Sequence, residues 1–149
     1  LLENLSTAPV IVNHVGGSIK STSLVCINGW PTFLKREMVE AYGPVERRLQ
    51  AENILSAFNK KVEWLNEEHC FISARIVSAI INEAYFSLEE NVSTKEEIDT
   101  AMKLGTNYPY GPFEWAEKIG KKKILSLLIE LSEQSSSFQP SKSLVEEAS

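Results

Sequence analysis

The chain has 149 residues, 43% of them apolar, and its 15 basic and 20 acidic side chains give a formal charge of −5. This length and apolar content suit one folded domain, or one domain and part of another, and argue against extensive disorder. The acidic balance argues against a protein that binds the phosphates of nucleic acids, because such a protein needs clustered Lys and Arg.

The first part of the sequence, up to about residue 65, consists of short extended segments around one helix. Apolar or alternating runs over residues 9–12, 23–28 and 37–42 predict three strands. A helical spacing follows over 45–59, and a short strand is predicted over 61–65. This order is typical of the end of an α/β sheet. The residues expected on the buried face of the helix are Val45, Leu49, Ile54, Leu55 and Phe58.

After Asn66 the sequence becomes helical. Apolar residues at steps of three and four over 71–88 predict a helix of about 20 residues. Ser93 and Glu96 have the spacing of a capping box at the start of the next helix, which Gly105 is expected to end in a left-handed conformation.

Two further helices are predicted before the end of the chain. A short helix is expected from Phe113 to Gly120, and the apolar stripe over 124–131 predicts the next one. The Ser-rich segment over 134–149 lacks periodicity, so we expect a frayed, flexible tail.

Several kinds of site lack the residues that they need. Asp99 is the only aspartate, which excludes calcium loops and aspartate dyads. Cys26 and Cys70 have neither CxxC spacing nor a histidine cluster, so we expect no metal site and a reducing, cytoplasmic setting. There is no GxGxxG motif, and the pair Gly16-Gly17 is read as a turn in preference to a phosphate cradle. No apolar run approaches the length of a membrane span.

Three polar residues remain as candidates from the pattern alone. His14 directly follows a predicted strand, where open α/β sheets border the ligand crevice, so it is either a loop histidine or a catalytic base. Glu40 is expected to end another strand, and it is either a solvated carboxylate or one that orients a base. His69 precedes the long helix, and we read it as a helix-entry residue.

The helical half contains two specific segments, Asp99-Thr100-Ala101-Met102-Lys103-Leu104-Gly105 and Pro109-Tyr110-Gly111-Pro112-Phe113-Glu114. With these segments it resembles the C-terminal domain of the 3-hydroxyacyl-CoA dehydrogenases. The resemblance covers about Phe71 to Leu131, and weaker similarity in the same order extends over 9–65. There, Asn28-Gly29-Trp30-Pro31 stands where the family has its His-Phe-Phe-Asn-Pro motif, and Glu37 to Glu40 resembles its Leu-Val-Glu strand.

The resemblance implies an NAD-dependent oxidation of the 3-hydroxyl of an acyl-CoA to a ketone, in fatty-acid or butanoate metabolism. In that family a histidine takes the hydroxyl proton, a glutamate orients the histidine, and an asparagine at the start of the long helix polarises the thioester side. Matched by position, the glutamate falls on Glu40 and the asparagine on Ala74. The histidine falls on Asn28, or on Ile27 if the gap is set one residue differently.

The loss of the histidine leaves two alternatives open, because general base catalysis typically contributes about 100- to 10,000-fold to a rate. Either His14 supplies the base to the same crevice, or the protein keeps the fold without the oxidation and acts as an acyl-CoA-binding or assembly module. The candidate catalytic residues are therefore Glu40, Asn28 and His14.

The expected fold is α+β and mostly helical. By the resemblance, residues 1–66 form the end of a Rossmann-type NAD-binding domain, 67–133 a helical dimerisation domain of four or five helices, and 134–149 a flexible tail. The chain is then a fragment without the glycine-rich NAD site, and NAD is the cofactor of its parent. Wide apolar faces over 71–88 and 124–131 predict a homodimer. Acyl-CoA is the expected partner, with neither nucleic acid nor a membrane.

Overall fold

The structure is a computed structural model that describes residues 9–16, 24–66 and 71–149. It divides into two compact units, residues 1–74 and 75–149. Gly17 of the predicted turn, His69 and Cys70 lie outside the described residues, as does Ser23 at the start of the second predicted strand.

The first unit contains a four-stranded sheet and one helix. The strands are β1 (Val10–Asn13), β2 (Leu24–Ile27), β3 (Met38–Tyr42) and β4 (Lys61–Trp64), and they lie in that order in the sheet. β1 is parallel to β2, β2 is antiparallel to β3, and β3 is parallel to β4. The helix α1 (Val45–Ser56) connects β3 to β4 as the crossover that a parallel pair requires.

The side of α1 that packs on the sheet differs from the predicted one. Ala51 and Leu55 are buried against the apolar strand residues, whereas Val45, Leu49 and Phe58 are about 70% exposed, at 71%, 69% and 69%. The predicted face was therefore wrong for these three residues. Large apolar residues determine a helical pattern in sequence, but here the small Ala51 is wholly buried, which lets the helix backbone come close to the sheet.

The second unit is helical. The helix α2 (Ile72–Glu89), whose first turn belongs to the first unit, is followed by α3 (Lys95–Thr106), α4 (Pro112–Ile119), α5 (Lys121–Ser132) and α6 (Lys142–Ala148). The predicted helices over 71–88, 113–120 and 124–131 correspond to α2, α4 and α5. Together with the sheet, they make the fold α+β and mostly helical, as expected.

The limits of α3 differ from the predicted ones by one or two residues. Its capping box joins Thr94 to Glu97, one residue later than the predicted pair Ser93 and Glu96. The left-handed residue that ends α3 is Asn107, with φ of 55°, and Gly105 lies inside the helix. Asn readily adopts this conformation because its short polar side chain bonds locally.

The C-terminal segment does not form the predicted frayed tail. Residues 136–138 form a short 3-10 turn, and α6 buries Leu144 and Ala148. Asn82 on α2 accepts a hydrogen bond from the amide of Ser141 and donates one to the carbonyl of Gln139, both at 2.9 Å. These long-range bonds stabilise a segment that has few apolar residues. Because apolar residues are few there, the sequence of the segment shows no helical periodicity.

Candidate functional site

Two predicted site residues lie close together, Glu40 on β3 and Asn28 just after the neighbouring strand β2. Asn28 directly follows β2, and its backbone amide donates to the carbonyl of Glu40 at 3.3 Å. Glu40 is the central residue of β3, not its end as predicted. The Asn28 side chain is 2% exposed, and its Oδ1 accepts from the amide of Trp30 at 3.1 Å. This bond determines the orientation of the amide, so that Nδ2 is available as a donor.

Ser73, in the first turn of α2, joins these two residues into one hydrogen-bonded cluster. Its Oγ donates to Glu40 Oε2 at 2.5 Å and accepts from Asn28 Nδ2 at 2.9 Å. Its backbone amide donates to Glu40 Oε1 at 3.0 Å. The carboxylate of Glu40 therefore lies at the positive end of the α2 dipole, where negative charge is stabilised.

The cluster borders a cavity of about 180 Å³ within the first unit. Arg36 and Glu63 supply two further charged groups of the lining, and Phe33 and Met38 supply apolar surface. Glu63 is the register partner of Glu40 on β4, and the Arg36 guanidinium lies 5.2 Å from the centre of the Phe33 ring. A cavity lined by convergent polar groups and apolar surface is the usual form of a small-molecule site.

His14 and Ala74, two further positions singled out from the sequence, have different surroundings. The backbone amide of His14 donates to the carbonyl of Ile27 at 3.3 Å, and its buried Nε2 has no hydrogen-bond partner within the described part of the chain. His14 is not among the residues that line the cavity. Ala74, where the family's asparagine would stand, is fully buried and has no side-chain donor. The role of His14 as a base stays a prediction.

Sequence reasoning missed Ser73. A hydroxyl at the start of a helix is usually read as a cap, because it can bond to the free amides of the first turn. No pattern in the sequence links residue 73 to residue 40, so only the folded chain reveals their contact.

The described residues do not fit the pyrophosphate of a dinucleotide, which needs a glycine-rich turn between a strand and a helix. Gly43 is the glycine in the turn between β3 and α1, and a Cβ there would lie 3.1 Å from Val25. Close packing on β2 therefore accounts for this glycine.

The described residues also contain no group of three or more His, Cys, Asp or Glu side chains placed to hold a metal ion. Among the same residues, no helix is long and apolar enough to cross a membrane.

The second unit contains a carboxylate whose contacts maintain the fold. Asp99 on α3 accepts hydrogen bonds from the amides of Phe113 at 2.8 Å and Glu114 at 3.1 Å, in the first turn of α4. Burial raises the pKa of Asp99 above its ordinary value, although these two amides act to lower it. A Cβ on Gly111 would lie 2.3 Å from Asp99 Oδ1, so the close approach depends on this glycine.

A second cluster of charges in this unit attaches α6. Glu147 pairs with Lys95 at 2.5 Å and Lys121 at 3.0 Å and accepts from the Tyr85 hydroxyl at 2.9 Å. Burial acts to raise the pKa of Glu147, but these three hydrogen bonds outweigh it and lower the pKa to about 2. Burial, the bond to Glu147 and the nearby negative charges raise the pKa of Tyr85. The groups satisfy one another, which indicates a structural role.

Comparison with known proteins identifies the family. A family model described as the C-terminal domain of 3-hydroxyacyl-CoA dehydrogenase matches residues 71–148, slightly more than half of the chain. The chain therefore belongs to the 3-hydroxyacyl-CoA dehydrogenase family, as the sequence motifs predicted.

Individual relatives agree with this assignment. The chain is 52% identical over 54 residues to the 3-hydroxyadipyl-CoA dehydrogenase of Escherichia coli (strain K12), a match covering 36% of this chain and 11% of that protein. It is 38% identical over 78 residues to the 3-hydroxybutyryl-CoA dehydrogenase of Bradyrhizobium diazoefficiens, covering 52% of this chain and 27% of that protein. These matches span about a quarter or less of the curated relatives.

The fold also matches a solved structure. The crystal structure of (S)-3-hydroxybutyryl-CoA dehydrogenase from Ralstonia eutropha aligns with a TM-score of 0.78 at 24% identity. The alignment covers 93% of this chain and 54% of that one. At this identity the comparison supports the fold alone.

Proposed function

We propose that the protein containing this chain is an NAD-dependent 3-hydroxyacyl-CoA dehydrogenase, which oxidises the 3-hydroxyl of an acyl-CoA to a ketone. The observation that carries the proposal is the Glu40 carboxylate, fixed beside a cavity of about 180 Å³ by a hydroxyl and an amide of α2. The resemblance of residues 37–40 to the Leu-Val-Glu strand of the family supports the assignment of this carboxylate as the glutamate of the catalytic pair. NAD would be bound by residues other than those described here, and it would accept the hydride.

A second candidate function is favoured by Asn28. A side-chain amide donates and accepts hydrogen bonds but does not take up a proton near neutral pH, so Asn28 cannot replace the imidazole of the family as a base. A protein that retains the cavity and the carboxylate but lacks a base would bind acyl-CoA esters without oxidising them, as a binding or assembly module.

The two functions are separated by assaying the full-length protein with NAD and either 3-hydroxybutyryl-CoA or 3-hydroxyadipyl-CoA, the substrates named for its relatives. We expect NADH formation together with binding of the ester in calorimetry. Binding without NADH formation would support the module and contradict the dehydrogenase. In that case Asn28→His should generate activity, whereas Asn53→His, on the exposed side of α1, should not.

We also propose that the protein is a homodimer. Ile76 on α2 and Ile129 on α5 are each 50% exposed, and burial of such apolar surface against a second copy would be favourable. Sedimentation velocity should give a dimer mass for the full-length protein and a shift toward monomer for Ile76→Glu. A monomer at micromolar concentration would contradict the proposal.

The two cysteines without disulfide spacing support a reducing compartment, the cytoplasm.

A further inference from the structure

We propose that Ser73 is a proton relay: its hydroxyl accepts the proton of the substrate's 3-hydroxyl and passes its own proton to Glu40. This inference rests on the proposed dehydrogenase function, and it concerns how the proton leaves a site that has no histidine at position 28. The structure supports it through the direction of the hydrogen bonds, the free acceptor capacity of Ser73 and the cavity beside it.

The hydrogen bonds of the cluster run in one direction. Asn28 Nδ2 donates to Ser73 Oγ at 2.9 Å, and Ser73 Oγ donates to Glu40 Oε2 at 2.5 Å. Glu40 is the ionisable member of this trio, so a proton that enters at Ser73 must end on its carboxylate. The short O–H···O distance is the one expected for a charge-assisted bond to a carboxylate.

Ser73 has the acceptor capacity that a relay needs. A hydroxyl has one donor and two acceptor lone pairs. The donor is used by Glu40 and one lone pair by Asn28, which leaves one lone pair for a ligand hydroxyl. Ser73 and Asn28 both line the cavity of about 180 Å³, so a substrate hydroxyl in that cavity would have an acceptor.

The surroundings also stabilise negative charge on the Ser73 oxygen during the transfer. The N–H of Asn28 is directed at this oxygen, and the oxygen belongs to the first turn of α2, at the positive end of its dipole. The other charged groups that line the cavity are Arg36 and Glu63. Their charges are of opposite sign, so together they change the net charge of the lining little.

The proton balance of the step is complete within these groups. The O–H bond of the substrate alcohol breaks as its proton forms a new bond to Ser73 Oγ. The original O–H bond of Ser73 breaks as its proton passes to Glu40 Oε2, which becomes a neutral carboxylic acid. Ser73 ends as a hydroxyl, and Glu40 later releases the proton to solvent.

The test uses the full-length protein and compares Ser73→Ala and Ser73→Thr with wild type. Ser73→Ala removes the relay and should lower kcat by about 100-fold or more, the usual size of an acid–base contribution. Calorimetry without NAD should give a Kd for 3-hydroxybutyryl-CoA within a few-fold of the wild-type value. Ser73→Thr retains the hydroxyl and should keep kcat within about 10-fold. Ser87→Ala, on the C-terminal part of α2, is the matched control and should behave as wild type.

A second measurement distinguishes a relay from a structural role. Where hydride transfer limits the rate, the relay moves two protons in the same step of the wild-type reaction. A plot of kcat against the deuterium fraction of the solvent should then be a curve and not a straight line. A linear dependence, or a Ser73→Ala variant with wild-type kcat, would overturn the relay while leaving the dehydrogenase intact. If wild type forms no NADH, the proposed function itself fails, and the relay fails with it. Unfolding of Ser73→Ala would be detected by circular dichroism, and Ser73→Thr and the isotope dependence would then decide.

Discussion

Gly111→Ala tests the contact by which α3 fixes the start of α4. Gly111 has φ of −74° and ψ of 167°, an extended conformation that alanine adopts without strain, so the backbone alone predicts a gain of about 0.4–1 kcal/mol. The added Cβ, however, would lie 2.3–2.4 Å from Oδ1, Cγ and Cβ of Asp99. The whole Asp99 side chain would have to move, and its bonds to the amides of Phe113 and Glu114 would be lost.

The magnitude follows from those two bonds. Each hydrogen bond to a charged group contributes about 1.5–3 kcal/mol, so after the backbone gain we expect Gly111→Ala to lower the free energy of unfolding by about 2–5 kcal/mol. Gly105→Ala is the matched control. Gly105 lies inside α3 with nothing within 4 Å of the added Cβ, so this substitution should raise the free energy of unfolding by about 0.5–1 kcal/mol.

Urea denaturation measures both variants, with circular dichroism for the helices and fluorescence for Trp115, which is buried in α4. Hydrogen exchange at the amide of Phe113 should accelerate in Gly111→Ala and not in Gly105→Ala. If both substitutions stabilise the protein, Asp99 does not cap α4 in solution and the steric argument is wrong.

Two further predictions concern α6. Leu144 is fully buried, so Leu144→Ala should lower the free energy of unfolding by about 2–5 kcal/mol in urea denaturation, whereas a frayed tail would give no measurable change. Glu147 has a pKa lowered from 4.5 to about 2 in the folded chain, so its contribution is complete above pH 4.5 and is lost as the pH falls toward 2. Because its side chain is 30% exposed, we expect this contribution to be about 1–2 kcal/mol. Glu147→Gln should remove it, and a wild-type profile in that variant between pH 5 and 2 would contradict the assignment.

The elements that the sequence predicted well are those with strong local signals. The apolar spacing of α2 and the glycine at position 120, which ends α4, are signals that neighbouring residues supply. Prediction from the sequence fails where a contact between distant residues determines the structure. α6 depends on Asn82, almost 60 residues earlier, and the packing of α1 depends on Ala51 because a small residue lets the helix lie close to the sheet. Neither contact leaves a periodic pattern in the sequence.

The residues of the candidate site also include some that the sequence indicates and one that only the folded chain reveals. The family motif directed attention to Glu40 and to Asn28 or Ile27, because these residues lie in one short continuous segment. Ser73 was not found, since it lies 33 residues from Glu40 and its type is common at helix starts. The motif directed attention instead to Ala74, the next residue, whose methyl group is fully buried and has no hydrogen to donate.

Asp99 and Glu40 each accept hydrogen bonds from the N-terminus of a helix that lies later in the sequence, and their surroundings give them different roles. Asp99 accepts from two backbone amides of α4, so all of the donors found for it belong to the main chain and its bonds hold the helix in place. Glu40 also accepts from the Ser73 hydroxyl, a donor whose proton can be exchanged, and it borders a cavity that can admit a ligand. Because an amide N–H does not give up its proton near neutral pH and a hydroxyl can pass one on, proton chemistry is expected at Glu40 and not at Asp99.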